Sequence, residues 1–195
     1  MPWISGNYYM SGAATINNAD IIHGIFQGYG WTENAICAML GNIQGESGCN
    51  PGVWENLTPY WRGYGLTQWS PYTKYSNWAT SMGYLPWEDN GDAECERIHY
   101  ETTTMPPTDP DYPWFYNSEI GMYPPITLPD FTTSTLPLNT LTNYWLWFYE
   151  HPLDPGPTTQ ATRQSYAQAW WNRYNGGQST LPPWLLKKLS DSWRR

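Results

Sequence analysis

The chain has 195 residues, a length that suits one domain, or one domain with a tail, and that is sufficient for a substantial core. Its formal net charge is -8, and so acidic a protein lacks the basic footprint that matches nucleic-acid phosphates. We therefore expect no nucleic-acid partner. The 14 tryptophans and 16 tyrosines are unusually many, and flat rings with a polar group suit both a core and a groove that stacks on sugars.

Cysteine usage and the N-terminus limit the chemistry further. The 3 cysteines, Cys37, Cys49 and Cys95, lack CxxC spacing, so we expect no metal site and at most one disulfide. Thiols used as small apolar residues are typical of a protein made in a reducing cytoplasm. The N-terminus has no basic start and no long apolar run, which predicts neither a signal peptide nor a transmembrane helix. No motif requires a cofactor, and we expect none.

The chain begins with a predicted irregular arm over residues 1–16. A first helix follows, for which Asn17 or Asn18 is the expected N-cap. His23 lies off the apolar stripe of this helix and is predicted to face solvent. The stripe itself consists of Ile21, Ile22, Ile25, Phe26 and Tyr29.

The second predicted helix carries the most informative glutamate of the chain. Thr32 is its expected N-cap and Gly48 its expected end. Its apolar residues recur at three- and four-residue steps, and Glu46 continues their series, so its carboxylate is predicted to lie on the buried face. Burial and the negative end of the helix dipole both raise the pKa of a carboxyl group. A glutamate that keeps its proton near neutral pH is a general acid.

The middle of the chain alternates between turns and helices. Residues 50–69 combine turn signals with irregularly spaced aromatics, which predicts a loop or a small β-hairpin lobe. Ser70 and Pro71 form a start signal for a third helix that Gly83 ends. A fourth helix is predicted over residues 92–103. Its outward side chains are expected to be Glu94, Glu96 and Arg97.

Prolines exclude a continuous helix over residues 105–137, apart from one short turn predicted at 131–135. This segment is predicted to line or cover a cleft, and a domain boundary is the alternative. Two more helices are predicted, over residues 138–149 and from 158 or 159 to 175. Residues 178–195 form a basic amphipathic C-terminal tail, which we expect to pack on its own domain; contact with a membrane or a partner is the alternative.

A family resemblance rests on two motifs around the predicted lobe. The first runs from Trp31 to Gly52 and contains the Glu46-Ser47 pair, and the second is the string GYGLTQW at residues 63–69. Together they resemble the phage tail lysozyme family, the peptidoglycan-cutting domain on the tail knobs of short-tailed phages. The resemblance covers about residues 17–175. Weaker matches are Trp54 to Leu57, Tyr75, Asn77-Trp78-Ala79, Glu94, Arg97-Ile98, Glu101 and Tyr149-Glu150-His151-Pro152.

The resemblance implies an α+β, predominantly α fold: a lysozyme-like helical bundle around a central Glu-bearing helix, with a small β/loop lobe. The catalytic domain is expected over residues 17–177. It implies a glycosidase of the muramidase type that cleaves the glycan strands of peptidoglycan. Such a protein is made in the host cytoplasm and works in the virion tail or outside the cell at the bacterial wall. Its expected partners are peptidoglycan and other phage tail proteins.

The resemblance also implies roles for individual residues. Glu46 is the acid that protonates the glycosidic oxygen, and Ser47 holds its carboxyl group by a hydrogen bond. The backbones of Gly63 and Gly65 let a sugar approach closely. The substrate-binding residues are expected to be Gln68, Trp69, Tyr72, Trp54, Tyr64, Trp61 and Gly65.

A second carboxylate is the missing part of this site. Glycosidases normally place one at about 5–5.5 Å or about 6.5–9.5 Å from the acid. Candidates are Glu55, Asp89, Asp92 and Glu101, and Glu55 ranks first because it lies in the lobe; a solvated loop acid is the alternative. The string RYNGG at residues 173–177 is similar to a block of lytic transglycosylases, and we interpret it mainly as a helix C-cap.

Three alternative functions remain open. A lytic transglycosylase would need no second carboxylate and would release anhydro sugars. A sugar-binding structural module of the virion would lack catalysis altogether. A cysteine peptidase would pair Cys37 or Cys49 with His99 or His23, although no family spacing supports it.

Overall fold

The computed structural model describes residues 1–176, and helices joined by long loops make up most of this part. The predicted tail, residues 178–195, lies outside the described residues. Within the described range, no helix combines the length and apolar character that crossing a membrane requires. The helices are α1 (Ala13–Gly28), α2 (Glu33–Ser47), α3 (Thr73–Ser81), α4 (Gly91–Thr103), α5 (Leu128–Thr132), α6 (Leu138–Trp145) and α7 (Pro157–Asn175), with a 3₁₀ turn at Glu55–Leu57 and a π-helical turn at Leu146–Glu150.

Helix α2 is the centre of the bundle, because α1, α6 and α7 all pack against it. The hydroxyl of Thr32 accepts a hydrogen bond from the amide of Ala35 at 3.4 Å, and Gly48 ends the helix in the left-handed conformation. Both predicted caps are therefore confirmed. Residues 35–44 are buried without interruption, so the helix is covered on all sides. The predicted α-rich bundle around a Glu-bearing helix is confirmed.

Helix α1 begins at Ala13, so the predicted cap at Asn17 or Asn18 is wrong. Asn18 is fully buried inside the helix, and its amide nitrogen donates to the carbonyl of Cys49 at 2.8 Å. The prediction that His23 faces solvent is also wrong. Helix α7 covers this face of α1: the ring of His23 stacks on Tyr174 and lies 2.9 Å from the carboxylate of Glu33.

The segment of residues 50–69 forms the predicted lobe from loops and isolated antiparallel bridges. Tyr64 pairs with both Trp54 and Trp69 through these bridges. Helix α3 starts only at Thr73, later than its start signal, because the amide of Tyr72 donates to the carbonyl of Arg62 at 2.8 Å. The chain before α3 is therefore attached to the lobe.

Helix α4 corrects the prediction that Glu94 and Arg97 face outward. Glu94 is fully buried and accepts a hydrogen bond from the amide of Leu66 at 2.7 Å. Arg97 is 3% exposed and donates to Glu101 at 2.7 Å. Arg97 has a charged partner in Glu101, whereas burial raises the pKa of Glu94 well above its usual value and so favours its neutral form. Helix α4 thus lies between the lobe and the bundle.

The last elements bring the side chains of Glu150 and Arg163 to the end of α2, near Glu46. Helix α5 is the short helix predicted in the proline-rich segment, displaced to Leu128–Thr132. Helix α6 passes into the π-helical turn Leu146–Glu150, after which His151 takes a left-handed conformation. Helix α7 begins at Pro157, close to the predicted start, and ends at the predicted Asn175.

Candidate functional site

Glu46 lies in the last turn of α2, beside an open cavity between the bundle and the lobe. The cavity has a volume of about 480 Å³. The side chain of Glu46 is 21% exposed, so the carboxyl group is largely enclosed but can reach the cavity. Other residues around this cavity include Trp54, Glu55, Arg62, Gln68 and His151.

Arg163 of α7 holds the carboxyl group of Glu46. Its Nη2 donates a hydrogen bond to Oε1 of Glu46, and the arginine side chain is 11% exposed. Burial raises the pKa of Glu46, and the positive charge of Arg163 lowers it by a smaller amount. The carboxyl group of Glu46 therefore keeps its proton to a higher pH than an ordinary glutamate.

Arg163 was not predicted, although the sequence contained a signal for it. Gly41 and Gly45 lie four residues apart on one face of α2. A Cβ atom at Gly41 would lie 2.7 Å from the backbone of α7, and one at Gly45 would lie 0.7 Å from Nη1 of Arg163. The two glycines let α7 approach α2 closely and leave the space that the guanidinium fills.

Glu150 is a second acid near Glu46 that was not predicted as a site residue. It ends the π-helical turn, and its Oε1 accepts a hydrogen bond from the indole of Trp145 at 2.8 Å. Burial raises the pKa of Glu150 well above its usual value, and repulsion from Glu46 raises it further. Glu150 borders a second cavity of about 280 Å³, and His151 and Gln68 border both cavities.

The predicted second carboxylates have different surroundings. Glu55 borders the same cavity as Glu46, and its Oε2 accepts a hydrogen bond from the amide of Gly63 at 3.1 Å. Glu101 is buried and accepts hydrogen bonds from Arg97, Trp69 and Tyr149. Of the four candidates, Glu55 and Glu101 therefore lie at the cavities.

The other two candidates, Asp89 and Asp92, lie against the N-terminal arm. Oδ1 of Asp92 accepts a hydrogen bond from the indole of Trp3 at 2.9 Å. The side chain of Asp89 forms a hydrogen bond with Ser5 of the arm and lies close to Gly52, where an added Cβ would be 1.8 Å from its Oδ1. These contacts give both aspartates a structural role in attaching the arm.

The predicted hydrogen bond from Ser47 to the carboxyl group of Glu46 is wrong. The hydroxyl of Ser47 lies 2.9 Å from the carbonyl of Leu66 and 3.1 Å from that of Ile43, and the residue is 3% exposed. Ser47 thus attaches the end of α2 to the lobe.

The prediction that Gly65 lets a sugar approach is also wrong. This glycine has a φ of 77°, and a Cβ added there would lie 2.5 Å from the carboxylate of Glu94. The close approach at Gly65 is therefore to the chain's own Glu94. Gln68 borders both cavities, as predicted for a cleft residue, and its amide nitrogen donates to the carbonyls of Val53 and Gly65.

The predicted aromatic platforms divide into buried and accessible rings. Tyr64 is 1% exposed and packs against Tyr75, so its predicted role as a sugar platform is wrong. Trp69 and Trp54 are each 6% exposed, and they border the smaller and the larger cavity respectively. Trp61 is 57% exposed, with the guanidinium of Arg62 above its ring.

Tyr72 is the remaining predicted platform. It is half-buried, with its ring packed edge-on against Trp54 and stacked on Trp87. Tyr72 therefore supports the aromatic wall of the lobe behind Trp54.

The cysteines are buried free thiols. Burial raises the pKa of both Cys37 and Cys49, which disfavours the thiolate that a peptidase needs. The histidines named for that function have other partners, since His23 contacts Glu33 and His99 stacks on Tyr29. Within residues 1–176, no three His, Cys, Asp or Glu side chains are grouped to hold a metal ion.

Comparison with known proteins shows what this chain is similar to. The sequence matches the phage tail lysozyme family over residues 17–174. It is 36% identical over 178 residues to "Morphogenesis protein 1" of Bacillus phage B103; the match covers 90% of this chain and 44% of that protein. The chain thus spans less than half the length of this relative. The family match contains α2, the lobe and α7, which together hold Glu46 and Arg163, and the chain belongs to the phage tail lysozyme family.

Proposed function

We propose that this protein is a peptidoglycan-degrading glycosidase of the muramidase type, with Glu46 as the general acid. One observation carries the proposal: the enclosed carboxyl group of Glu46, whose pKa burial raises, borders a cavity of about 480 Å³. A general acid needs both a proton at working pH and access to the leaving oxygen. Membership of the phage tail lysozyme family supports a glycan substrate.

In the proposed reaction, Glu46 donates its proton to the glycosidic oxygen as the bond from that oxygen to the anomeric carbon breaks. Water then supplies the hydroxyl group to the anomeric carbon, and its remaining proton leaves to a base. Glu55 is the proposed base, because its carboxylate borders the same cavity. The rings of Trp54 and Trp61 offer apolar faces on which sugars can stack.

A second candidate function is a virion structural module that binds sugars without cutting them. The name of the relative, "Morphogenesis protein 1", favours this alternative, since that name describes assembly and not catalysis. In either case we propose the virion tail as the site of action and other tail proteins as partners.

Digestion of purified bacterial walls, with mass spectrometry of the soluble products, tests the proposal. A hydrolase releases fragments with reducing ends, a lytic transglycosylase releases anhydro sugars, and a peptidase releases stem peptides. We expect reducing ends from the unaltered protein and no fragments from Glu46→Gln. Intact walls after treatment with the unaltered protein would contradict a catalytic function and favour the structural module. Continued cutting by Glu46→Gln would assign the chemistry to another residue.

A further inference from the structure

Arg163 lies where its guanidinium can act directly on the carboxyl group of Glu46. It comes from α7, and its guanidinium reaches the end of α2 beside Glu46. The side chain is nearly buried, and its Nε has no hydrogen-bond partner among the described residues. An arginine placed only for stability would be expected to use its donors more completely.

The path of this side chain depends on Gly45. A Cβ atom at Gly45 would fall 0.7 Å from Nη1 and 1.8 Å from Cζ of Arg163, a full overlap with the guanidinium. Glycine inside a helix is less favourable than alanine, because it loses more conformational freedom on folding. By contrast, a Cβ atom added at Gly24 of α1 would have no other atom within 4 Å. The glycine at residue 45 is therefore explained by Arg163.

Arg163 donates its hydrogen bond to Glu46, and its positive charge also lowers the pKa of Glu150. Glu150 follows α6, and burial and repulsion from Glu46 raise its pKa well above the usual value. Glu101 of α4, which also raises the pKa of Glu150, is neutralised by Arg97. The other ionisable groups around the Glu46 cavity are Tyr9 of the arm, Glu55 and Arg62 of the lobe, and His151.

We propose that Arg163 is a positioning residue for Glu46, and that the absence of a side chain at Gly45 serves to admit its guanidinium. This inference rests on the proposed function, in which Glu46 is the acid. Arg163 fixes the direction of the carboxyl group toward the cavity. When Glu46 has given its proton to the glycosidic oxygen, the guanidinium stabilises the carboxylate that remains, and a proton from solvent restores the acid.

The pH profile of kcat/KM separates this role from a purely structural one. Arg163 lowers the pKa of Glu46, so Arg163→Met should move the basic limb of the profile to higher pH, by about 1–3 units. The maximal kcat should fall about 100-fold because the carboxyl group loses its direction. KM should change by less than about twofold, because the sugar contacts are untouched. Arg163→Lys should restore part of the rate, since it keeps a positive charge.

Gly45→Ala tests whether the free space at residue 45 admits the guanidinium, without altering Arg163 itself. It should move the profile in the same direction as Arg163→Met, since its Cβ displaces the guanidinium. Gly24→Ala is the matched control, a glycine inside a helix with free space around it, and should leave the profile unchanged. An unshifted profile in Gly45→Ala or in folded Arg163→Met would overturn the inference.

A measurement without catalysis separates this inference from the proposed function. Titration of the Glu46 carboxyl carbon by ¹³C NMR should give a higher pKa in Arg163→Met than in the unaltered protein. If the unaltered protein fails to cut walls but this shift is found, the proposed function fails and the pairing stands. If walls are cut but Glu46 titrates identically in both proteins, the positioning role fails and the function stands.

Discussion

Two glutamate–arginine pairs lie close to the cavities, and they differ in how the carboxylate is held. Glu101 and Arg97 are neighbours on α4, with side chains only 3% and 4% exposed, and Trp69 and Tyr149 also donate to Glu101. Glu46 receives Arg163 from a distant part of the chain, and its side chain is 21% exposed at the larger cavity.

Under the proposed function, this difference favours Glu46 as the acid that transfers a proton. The Glu101 carboxylate is enclosed by donors from the lobe and from the turn after α6, so it joins elements. The Glu46 carboxyl group has access to the cavity and an arginine that can stabilise it after proton loss. We therefore expect changes at Glu46 to affect activity and changes at Glu101 to affect stability.

The largest effect is expected for Glu46→Gln. General acid catalysis typically contributes about 10²–10⁴-fold, so the rate of wall cleavage should fall by about that factor. The free energy of unfolding should change by about 1 kcal/mol or less, because the amide oxygen still accepts a hydrogen bond from Arg163 and the site is partly open. Wall-clearing assays and urea denaturation measure both quantities. A strongly destabilised Glu46→Gln protein would remove the contrast between the two pairs.

The converse prediction concerns Glu101→Gln. Removing one partner of a buried ion pair typically costs about 3–5 kcal/mol, because the other charge remains without compensation. The charge left here is that of Arg97, which is 3% exposed. We expect a loss of this size in urea denaturation. At a temperature where the variant is folded, its rate of wall cleavage should stay within about tenfold of the unaltered protein. A stable but inactive variant would place Glu101 in the chemistry.

Gly41→Ala tests the packing that brings Arg163 to Glu46. Its Cβ would lie 2.7 Å from backbone atoms of α7, so we expect a loss of about 1–3 kcal/mol from overpacking. Gly24→Ala meets no atoms and should instead stabilise the protein by about 0.5–1 kcal/mol. Thermal unfolding of both variants measures the contrast. Equal effects from the two substitutions would show that α7 can move away from α2 at little cost.

Glu94 provides a third case, a buried glutamate without an arginine partner in the described residues. Burial raises its pKa well above the usual value, which the amide of Leu66 lowers only in part. Its contribution to stability is therefore fully present below the unfolded pKa of about 4.3. As the pH rises from there to the raised pKa of the folded protein, the free energy of unfolding falls by about 1.4 kcal/mol per pH unit. Between pH 5 and pH 8, the free energy of unfolding should fall less for Glu94→Gln than for the unaltered protein. Urea denaturation at each pH measures this difference. Parallel curves would show that Glu94 is ionised throughout.

Sequence patterns predicted the parts of the fold that depend on local interactions. Thr32 and Gly48 bound α2 as expected, because capping involves residues a few positions apart. The lobe of residues 50–69 follows from its turn signals. Outward positions on α4 were predicted wrongly, since the partners that permit burial of Glu94 and Arg97 lie outside the reach of helical periodicity.

The sequence by itself determined the helical bundle, the family and the glutamate at the end of α2, because periodicity, caps and contiguous motifs record them. Only the tertiary structure decided what surrounds that glutamate. Arg163 is 117 positions away from Glu46 in the chain, and the two meet because glycines in α2 admit α7. The hydroxyl of Ser47 donates to the carbonyl of Leu66 and not to Glu46 for the same reason, because contacts between elements depend on how the elements pack.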